Sequence, residues 1–549
     1  MKLSAIFSSI LAVVATAAPV RRGAPDDTPG TIDCAYIVNF PKGTNGPAAL
    51  KNHFDNLGVA YSIRTSVNTK LANFVSFSID GSCKDSQVTG IVGATEYSTI
   101  RDVPRSEPVI IASSEVAQSS ELIHSITGVN DARNLLKLTG KGINVAVIDS
   151  GVYYLHPSLG GGFGPGFRVS KGHDFVGDAY GAGGKYVPIP DADPIDNCSG
   201  NSHGTHVAGI IGADARNITT EGFVPSIPFT GVAPEANLFA YRVFGCTGST
   251  QTDIVAAAIY KAAEDGAHVI SISIGGGPIF ATEVSGIAAD TVGKAGVFVI
   301  NSAGNNGALG PYRVGGSGVS LGGLAIASFD NVATPLPYML VNDVKYTYGV
   351  GSANSKFTDG QSLDVIVNNL DADDKDLQDD GTSAVPTIDA KGKAILIRWG
   401  DTAKGGSAKR CGYAYKAGAV ACILYNNGVA PVNIAGAAEI PSMFIPRDAG
   451  QAIIADIKAG KVPKVIVTFK SMMSPLPTAA TLSSFSSPGL DNELNIKPDL
   501  GGVGGMVFST MSPFATVSSG LHENYGVMSG TSMATPYVSG VAALILQAR

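Results

Sequence analysis

From about residue 122 to residue 329 the chain alternates short apolar runs with longer stretches of helical spacing. INVAVIDSGV (143–152), AHVISISIGGG (267–277) and VFVINSAGNNG (297–307), rich in β-branched residues, and LFAYRVF (238–244), rich in aromatic ones, are short apolar runs, which predicts strands buried on both faces. Between them, TDIVAAAIYKAAEDG (252–266) and residues 284–294 carry helical patterns. This alternation predicts right-handed crossovers and a mainly parallel sheet with helices on both faces, an α/β fold. Upstream, residues 31–104 read as strand, helix ending at Gly58, two strands, a short helix and a strand near Tyr97–Val103, a compact βαββαβ unit. RSEPVIIASSEVAQSS (105–120) sustains neither period and reads as a linker.

YGVMSGTSMATPYVSGVAALIL (525–546) predicts a helix buried on all sides, entered through a tight turn at Gly530 and Thr531. Ser532 then sits at the helix start, beside unpaired N–H groups that favour developing negative charge, and Pro536 is read as tolerated in a first turn that has no N–H bond to lose. A core helix with a serine cap fits the same letters, so the chemistry depends on partners. A serine nucleophile needs a base and a group to orient that base. No histidine follows Ser532, which excludes the serine, acid, histidine order of the α/β-hydrolases. Upstream, INVAVIDSGV delivers Asp149 at the C-terminal end of a strand, and NSHGTHVAGIIGA (201–213) opens a second buried helix with His203 in its first turn. Both positions are where an open α/β sheet places its active sites.

VAVIDSGV, HGTHVAGIIGA and SGTSMATPYVSG closely resemble the three motif blocks of the subtilisin-like serine proteases. The resemblance implies that Asp149, His203 and Ser532 form a catalytic triad, with Ser529 and His206 as structural neighbours. It places the oxyanion-hole amide on Asn305, or on Asn306 if the loop is shifted by one; a plain Asn-Asn-Gly turn is the bland alternative. It also assigns substrate-backbone pairing to Ser273, Ile274 and Gly275, where Gly275–Gly277 let an extended peptide approach as an added strand. Residues 31–104 would be an inhibitory propeptide, and 105–120 its processing linker.

From Asn305 to Ser532 the chain is far longer than the remaining elements of such a core require, so an insert is expected over residues 336–475. AILIRWGDTAKGGSAKRCGYAYKAGAVACILYNNG reads as strand, helix, strand, and with IPSMFIPRDAGQAIIADIKAG it resembles a protease-associated domain, a module implicated in substrate access. The expected organisation is a signal peptide (1–17), a propeptide and linker (18–118), a first catalytic part (119–335), the insert (336–475) and a second catalytic part (476–549) that is short for the family. KPDLGGVGG (497–505) departs from the family block before the serine, where alanine, proline and glycine are expected, which puts the loop geometry there in question.

Charge and composition narrow the reading further. With a net charge of -7 and no large basic block, nucleic acid is not an expected partner. MKLSAIFSSILAVVATAAPV has Lys2, an apolar core and an Ala15-Thr16-Ala17 site, a secretory signal too short to span a bilayer, so a secreted protein without a membrane partner is expected. Secretion permits disulfides, and sequence-local pairing predicts Cys34–Cys83, Cys198–Cys246 and Cys411–Cys422, with a buried thiol at Cys422 as the alternative. Asn217-Ile-Thr219 is a glycan acceptor sequence; Asn197-Cys-Ser199 competes with the disulfide at Cys198. No cofactor is implied. DADDKDLQDD (371–380) fails the EF-hand spacing at Lys375, PIPDADPIDN (188–197) reads as a surface loop with weak calcium binding left open, and His203 and His206 have the wrong spacing for zinc. The expectation is a secreted, zymogen-type serine endopeptidase acting on proteins or peptides, with its own propeptide as inhibitor. An inactive homologue or a truncated fragment acting as a binding module, and an esterase on the same machinery, are the rivals.

Overall fold

A computed structural model describes residues 20–21, 31–103, 124, 126–199, 202–275, 280–350, 357–367, 370, 388–399, 407–426, 439–476, 478–515 and 524–549. The expected signal peptide, the linker at 105–120 and the acidic run at 371–380 lie outside these residues. The described residues form two compact units, one of those up to residue 102 with 251–253 and 282–284, the other of the remainder.

In the first unit the strands Thr31–Asn39, Tyr61–Asn68, Asn73–Ile79 and Glu96–Val103 pair antiparallel around Thr31–Asn39 and Asn73–Ile79. The helix Gly46–Leu57 is capped by Asn45, whose side chain accepts from the Ala48 N–H, and stops at Gly58 in the left-handed conformation. Leu50 and Phe54 on this helix pack against Tyr36, Val75 and Phe77 of the sheet. The expected short second helix is only a 3-10 turn at Asp85–Gln87. None of its three residues is buried, so no apolar face holds a longer helix.

The second unit is built on a seven-stranded, wholly parallel sheet. Its strands run in the order Leu500–Gly505, Leu324–Asp330, Phe298–Ser302, Val269–Ile272, Asn144–Asp149, Asn237–Arg242, Val169–Asp174. Its central strands are the apolar runs read from the sequence, buried almost throughout, and the helix His203–Gly212 packs against two of them. The helix Thr531–Gln547 inserts Met533, Tyr537 and Leu544 into the main core, each worth about 1.5–3 kcal/mol of burial. It is not buried on all sides: beyond Tyr537 one face, with Val538, Val541 and Ile545, is half-buried or exposed.

Residues 333–475 form a further eight-stranded sheet. Ser362–Val367, Ala394–Trp399, Ala421–Asn426 and Ser442–Ile445 pair in parallel, and the strand side chains alternate between two apolar cores. Leu396 and Ile423 face Ile453 and Ile454 of the helix Arg447–Lys458. Ile395 and Leu424 face Ala414 of the helix Ser407–Lys416. A long antiparallel ribbon of Ala333–Val341 and Lys464–Pro475, which starts and ends beside the parallel sheet, carries this layer. All three disulfides join the expected pairs, Cys34–Cys83, Cys198–Cys246 and Cys411–Cys422. Among the described residues no helix is long and apolar enough to cross a membrane.

Candidate active site

Asp149 is the last residue of its strand, and Ile148 pairs with Ile272, so Asp149 and Ser273 leave neighbouring strands side by side at the C-terminal edge of the sheet. His203 opens the helix that packs on the serine helix. Gly204 is required there, because a Cβ would sit 2.1 Å from the Gly151 carbonyl and drive the histidine off the aspartate strand. On the other side, Gly504 lets the serine turn close onto the sheet: a Cβ would meet the Gly530 carbonyl at 2.5 Å, and Gly530 N–H donates to Gly504 O at 2.9 Å. The glycines of KPDLGGVGG therefore serve an edge strand pressed against the serine helix. Lys497 and Asp499 tie that strand to Gly323 O and Ala325 N–H.

Both carboxylate oxygens of Asp149 lie 2.9 Å from His203 Nδ1, and Oδ1 also accepts the Ser150 N–H at 2.7 Å. A carboxylate on Nδ1 fixes the proton there and leaves Nε2 as the acceptor, a tautomer assigned by the network. Nε2 is buried and has no partner among the described residues. Ser532 is 2 % exposed, and its hydroxyl donates to Ser273 O at 3.1 Å instead of to the histidine. In return Ser273 Oγ donates to Ser532 O at 2.7 Å. The helix begins at Thr531 with Gly530 as its N-cap, so Pro536 belongs to the second turn rather than the first. Its missing N–H is the one that would have bonded Ser532 O.

Asn305 Oδ1 accepts from Thr531 N–H at 3.0 Å and from Thr531 Oγ at 2.9 Å, while Gly304 N–H donates to that same hydroxyl at 3.2 Å. With its oxygen engaged, Asn305 keeps Nδ2 as a donor, 3.3 Å from where a side chain on Gly530 would begin. Asn306 is held differently, its N–H donating to Ser487 Oγ. Ser273 and Ile274 are buried, and Ile274 O already accepts from Ser302 Oγ at 3.1 Å. Gly275 is described, whereas Gly276 and Gly277 lie outside the described residues.

The two structural neighbours, His206 and Ser529, have other bonds. His206 Nε2 bonds Gly526 O at 3.1 Å, and full burial lowers its pKa to about 3. Ser529 Oγ accepts the Met506 N–H. The reading of 188–197 as a surface loop needs correction at its end. Asp196 is 2 % exposed, with Thr205 Oγ at 3.3 Å and Ser150 Oγ at 3.5 Å from its carboxylate, and Ser150 Oγ accepts the Gly204 N–H. Hydroxyl partners make this burial tolerable, and through them Asp196 links the residue after Asp149 to the turn that carries His203. The acidic recess nearby, with Asp174, Asp178 and Asp191, already contains the Arg242 guanidinium, 2.7 Å from Asp178 and 3.3 Å from Asp174. Thr531 and Asp196 are the candidate-site positions the sequence reading missed. The first is signalled only by its place before Ser532, the second only by a carboxylate shortly before the histidine helix.

Comparison with known proteins adds to this geometry. A family model described as the subtilase family matches residues 140–549. The minor extracellular protease Vpr of Bacillus subtilis (strain 168) is 32% identical over 458 residues, covering 82% of this chain and 51% of that protein. A PII-type proteinase of Lacticaseibacillus paracasei is 28% identical, covering 77% of this chain and 23% of its own length. The chain thus spans about half of the first relative and about a quarter of the second. Among solved structures, fervidolysin from Fervidobacterium pennivorans aligns with a TM-score of 0.48 at 16% identity, over 97% of this chain and 57% of that one.

Proposed function

The chain belongs to the subtilase family, and on that premise we propose that it is a secreted serine endopeptidase, made as a zymogen, that hydrolyses peptide bonds in proteins or peptides. The observation that carries the reading is the buried Asp149–His203 pair with an unpartnered Nε2, at the sheet edge where Ser532 is held by Ser273. The mechanism requires the Ser532 hydroxyl to leave Ser273 O for Nε2, a rotation about the Cα–Cβ bond between staggered wells. His203 then takes the proton as Ser532 attacks the scissile carbonyl and returns it to the leaving amine, while Asp149 holds the tautomer and stabilises the imidazolium. The Asn305 Nδ2 amide and the Ser532 N–H donate hydrogen bonds to the oxyanion. Ser273, Ile274 and Gly275 bind the substrate backbone as an added strand.

In this proposal residues 18–118 hold the propeptide and linker and inhibit the site until cut, and residues 336–475 act as a protease-associated domain that governs access. The relatives' names, an extracellular protease among them, agree with export. Asn217 is exposed and open to a glycan. The alternative, an inactive homologue serving as a binding module, draws on one observation: the nucleophile's hydroxyl is on Ser273 and not on the histidine.

Intact-mass and N-terminal analysis of the secreted protein beside its Ser532→Ala variant tests the reading. Loss of the segment up to the 105–120 linker in the parent alone is the expected result. A parent that keeps this segment and does not react with a fluorophosphonate would leave the binding-module reading in place.

A further inference from the structure

Pro536 leaves the Ser532 carbonyl without its helical donor, since the N–H four residues on is absent. A buried carbonyl deprived of its bond is costly, and in the first turn of this helix the carbonyl belongs to the nucleophile itself. Ser273 Oγ fills the vacancy from a neighbouring strand end at 2.7 Å, and Ser273 is 1 % exposed, so water has little access to take its place. The same residue's carbonyl accepts the Ser532 hydroxyl at 3.1 Å. Ser532 is therefore gripped at its backbone and at its side chain by one residue, which is itself fixed by the strand pairing of Ile272 with Ile148 beside Asp149.

We propose that Ser273 is a positioning residue for the nucleophile, its side chain supplying the hydrogen bond that Pro536 withholds from Ser532 O. The role rests on Ser532 being the nucleophile. The two bonds have separate uses. The side-chain bond orients the peptide planes of the first turn, and with them the Ser532 N–H that faces the oxyanion. The carbonyl bond is temporary: an imidazole nitrogen competes for the hydroxyl, and a substrate N–H arriving at Ser273 O weakens that oxygen's hold. Ser273 so carries a duty beyond the backbone pairing assigned to residues 273–275, and a substitution that spares the backbone separates the two.

The test is a double-mutant cycle on the full chain: parent, Ser273→Ala, Pro536→Ala and both together. Two quantities are read, the rate at which a fluorophosphonate labels Ser532, followed by intact mass, and kcat and KM on a peptide amide. Ser273→Ala is expected to slow labelling and kcat about five- to tenfold with KM unchanged, the size of one hydrogen bond. In the Pro536→Ala background, where the helix can again donate to Ser532 O, the same change is expected to cost less than about twofold. Equal losses in both backgrounds, or no loss in the first, overturn the proposal. If Ser273→Ala does not fold, Ser273→Thr decides: the retained hydroxyl should keep the parent's labelling rate, and a tenfold loss there counts against the clamp. A parent that is never labelled overturns the nucleophile reading and the clamp with it, whereas a labelled parent with purely additive losses overturns the clamp alone.

Discussion

Acidification should unfold the second unit well before its carboxylates are neutralised. Three buried histidines are held neutral there by loss of solvation: His124 with a pKa of about 4, His156 of about 4 and His206 of about 3. His124 and His156 use both ring nitrogens inside the fold, and His206 uses Nε2. His124 bonds Tyr537 OH and Thr230 O, His156 bonds Asn524 O and the Ser158 N–H, and His206 bonds Gly526 O. Because the folded pKa values lie below the unfolded one near 6.5, the unfolded chain binds more protons between roughly pH 6.5 and pH 4, and stability falls with pH throughout that window. At pH 5 each histidine has cost about 2 kcal/mol, and the three together about 6 kcal/mol, the scale of a whole domain's stability. Burial raises the carboxyl pKa of Asp174, which works in the opposite sense, so the effect is best read above pH 5. The assay is the urea midpoint of the Ser532→Ala variant, which cannot digest itself, at half-unit steps from pH 7.5 to pH 5. The midpoint should drop steeply below pH 6.5, and His156→Gln should remove about one proton's worth of the slope, ~1.4 kcal/mol per pH unit. A midpoint that is flat over this range would refute the reasoning.

Asn305→Leu should cost roughly 10²- to 10³-fold in kcat with the fold intact, and a loss under about fivefold would remove Asn305 from the oxyanion hole. Thr531→Val deletes the hydroxyl that holds Asn305 Oδ1 and Gly304 N–H, and should lower kcat about tenfold while leaving KM unchanged in peptide assays. Asp196→Ala leaves buried hydroxyls without their acceptor and should destabilise by about 1–3 kcal/mol in denaturant titration, with a parallel loss of kcat as the His203 turn loosens. Replacing 342–463 by a short turn joins strands already paired through Val341 and Val465; short-peptide cleavage should survive, cleavage of folded proteins should change, and no change in either would refute an access role.

Much of this was legible because buried parallel strands announce themselves as unbroken apolar runs, and because Asp149, Asn305 and Ser532 stand at the ends or starts of such elements. The helix Val284–Lys294 and the disulfides follow from local pattern in the same way. What the letters hid depends on register and on partners distant in the chain. Placing Pro536 required knowing that the helix starts at Thr531; an error of a few residues turns a harmless proline into one that strips the Ser532 carbonyl of its helical bond. Asp196 looked like one more acid in a polar loop, since its burial depends on hydroxyls of Thr205 and Ser150 that only the fold brings to it. The exposed flank of the serine helix was equally invisible, because its composition is as apolar there as in the part that is buried.

The ribbon of Ala333–Val341 and Lys464–Pro475 has a consequence for how the chain tolerates change. An excursion that leaves and returns through two paired strands has its ends fixed together, so the entropy of closing it is met at the ribbon's first rungs. Beyond that, closure grows only with the logarithm of length, and doubling the excursion adds only about 0.6 kcal/mol. The core can therefore reach its parallel sheet without waiting for the excursion to fold, and the size of what hangs there is nearly neutral for the protein beneath it. Variation in length should accumulate beyond Val341 and before Lys464, while the ribbon's root at Ala333 and Pro475 stays constant.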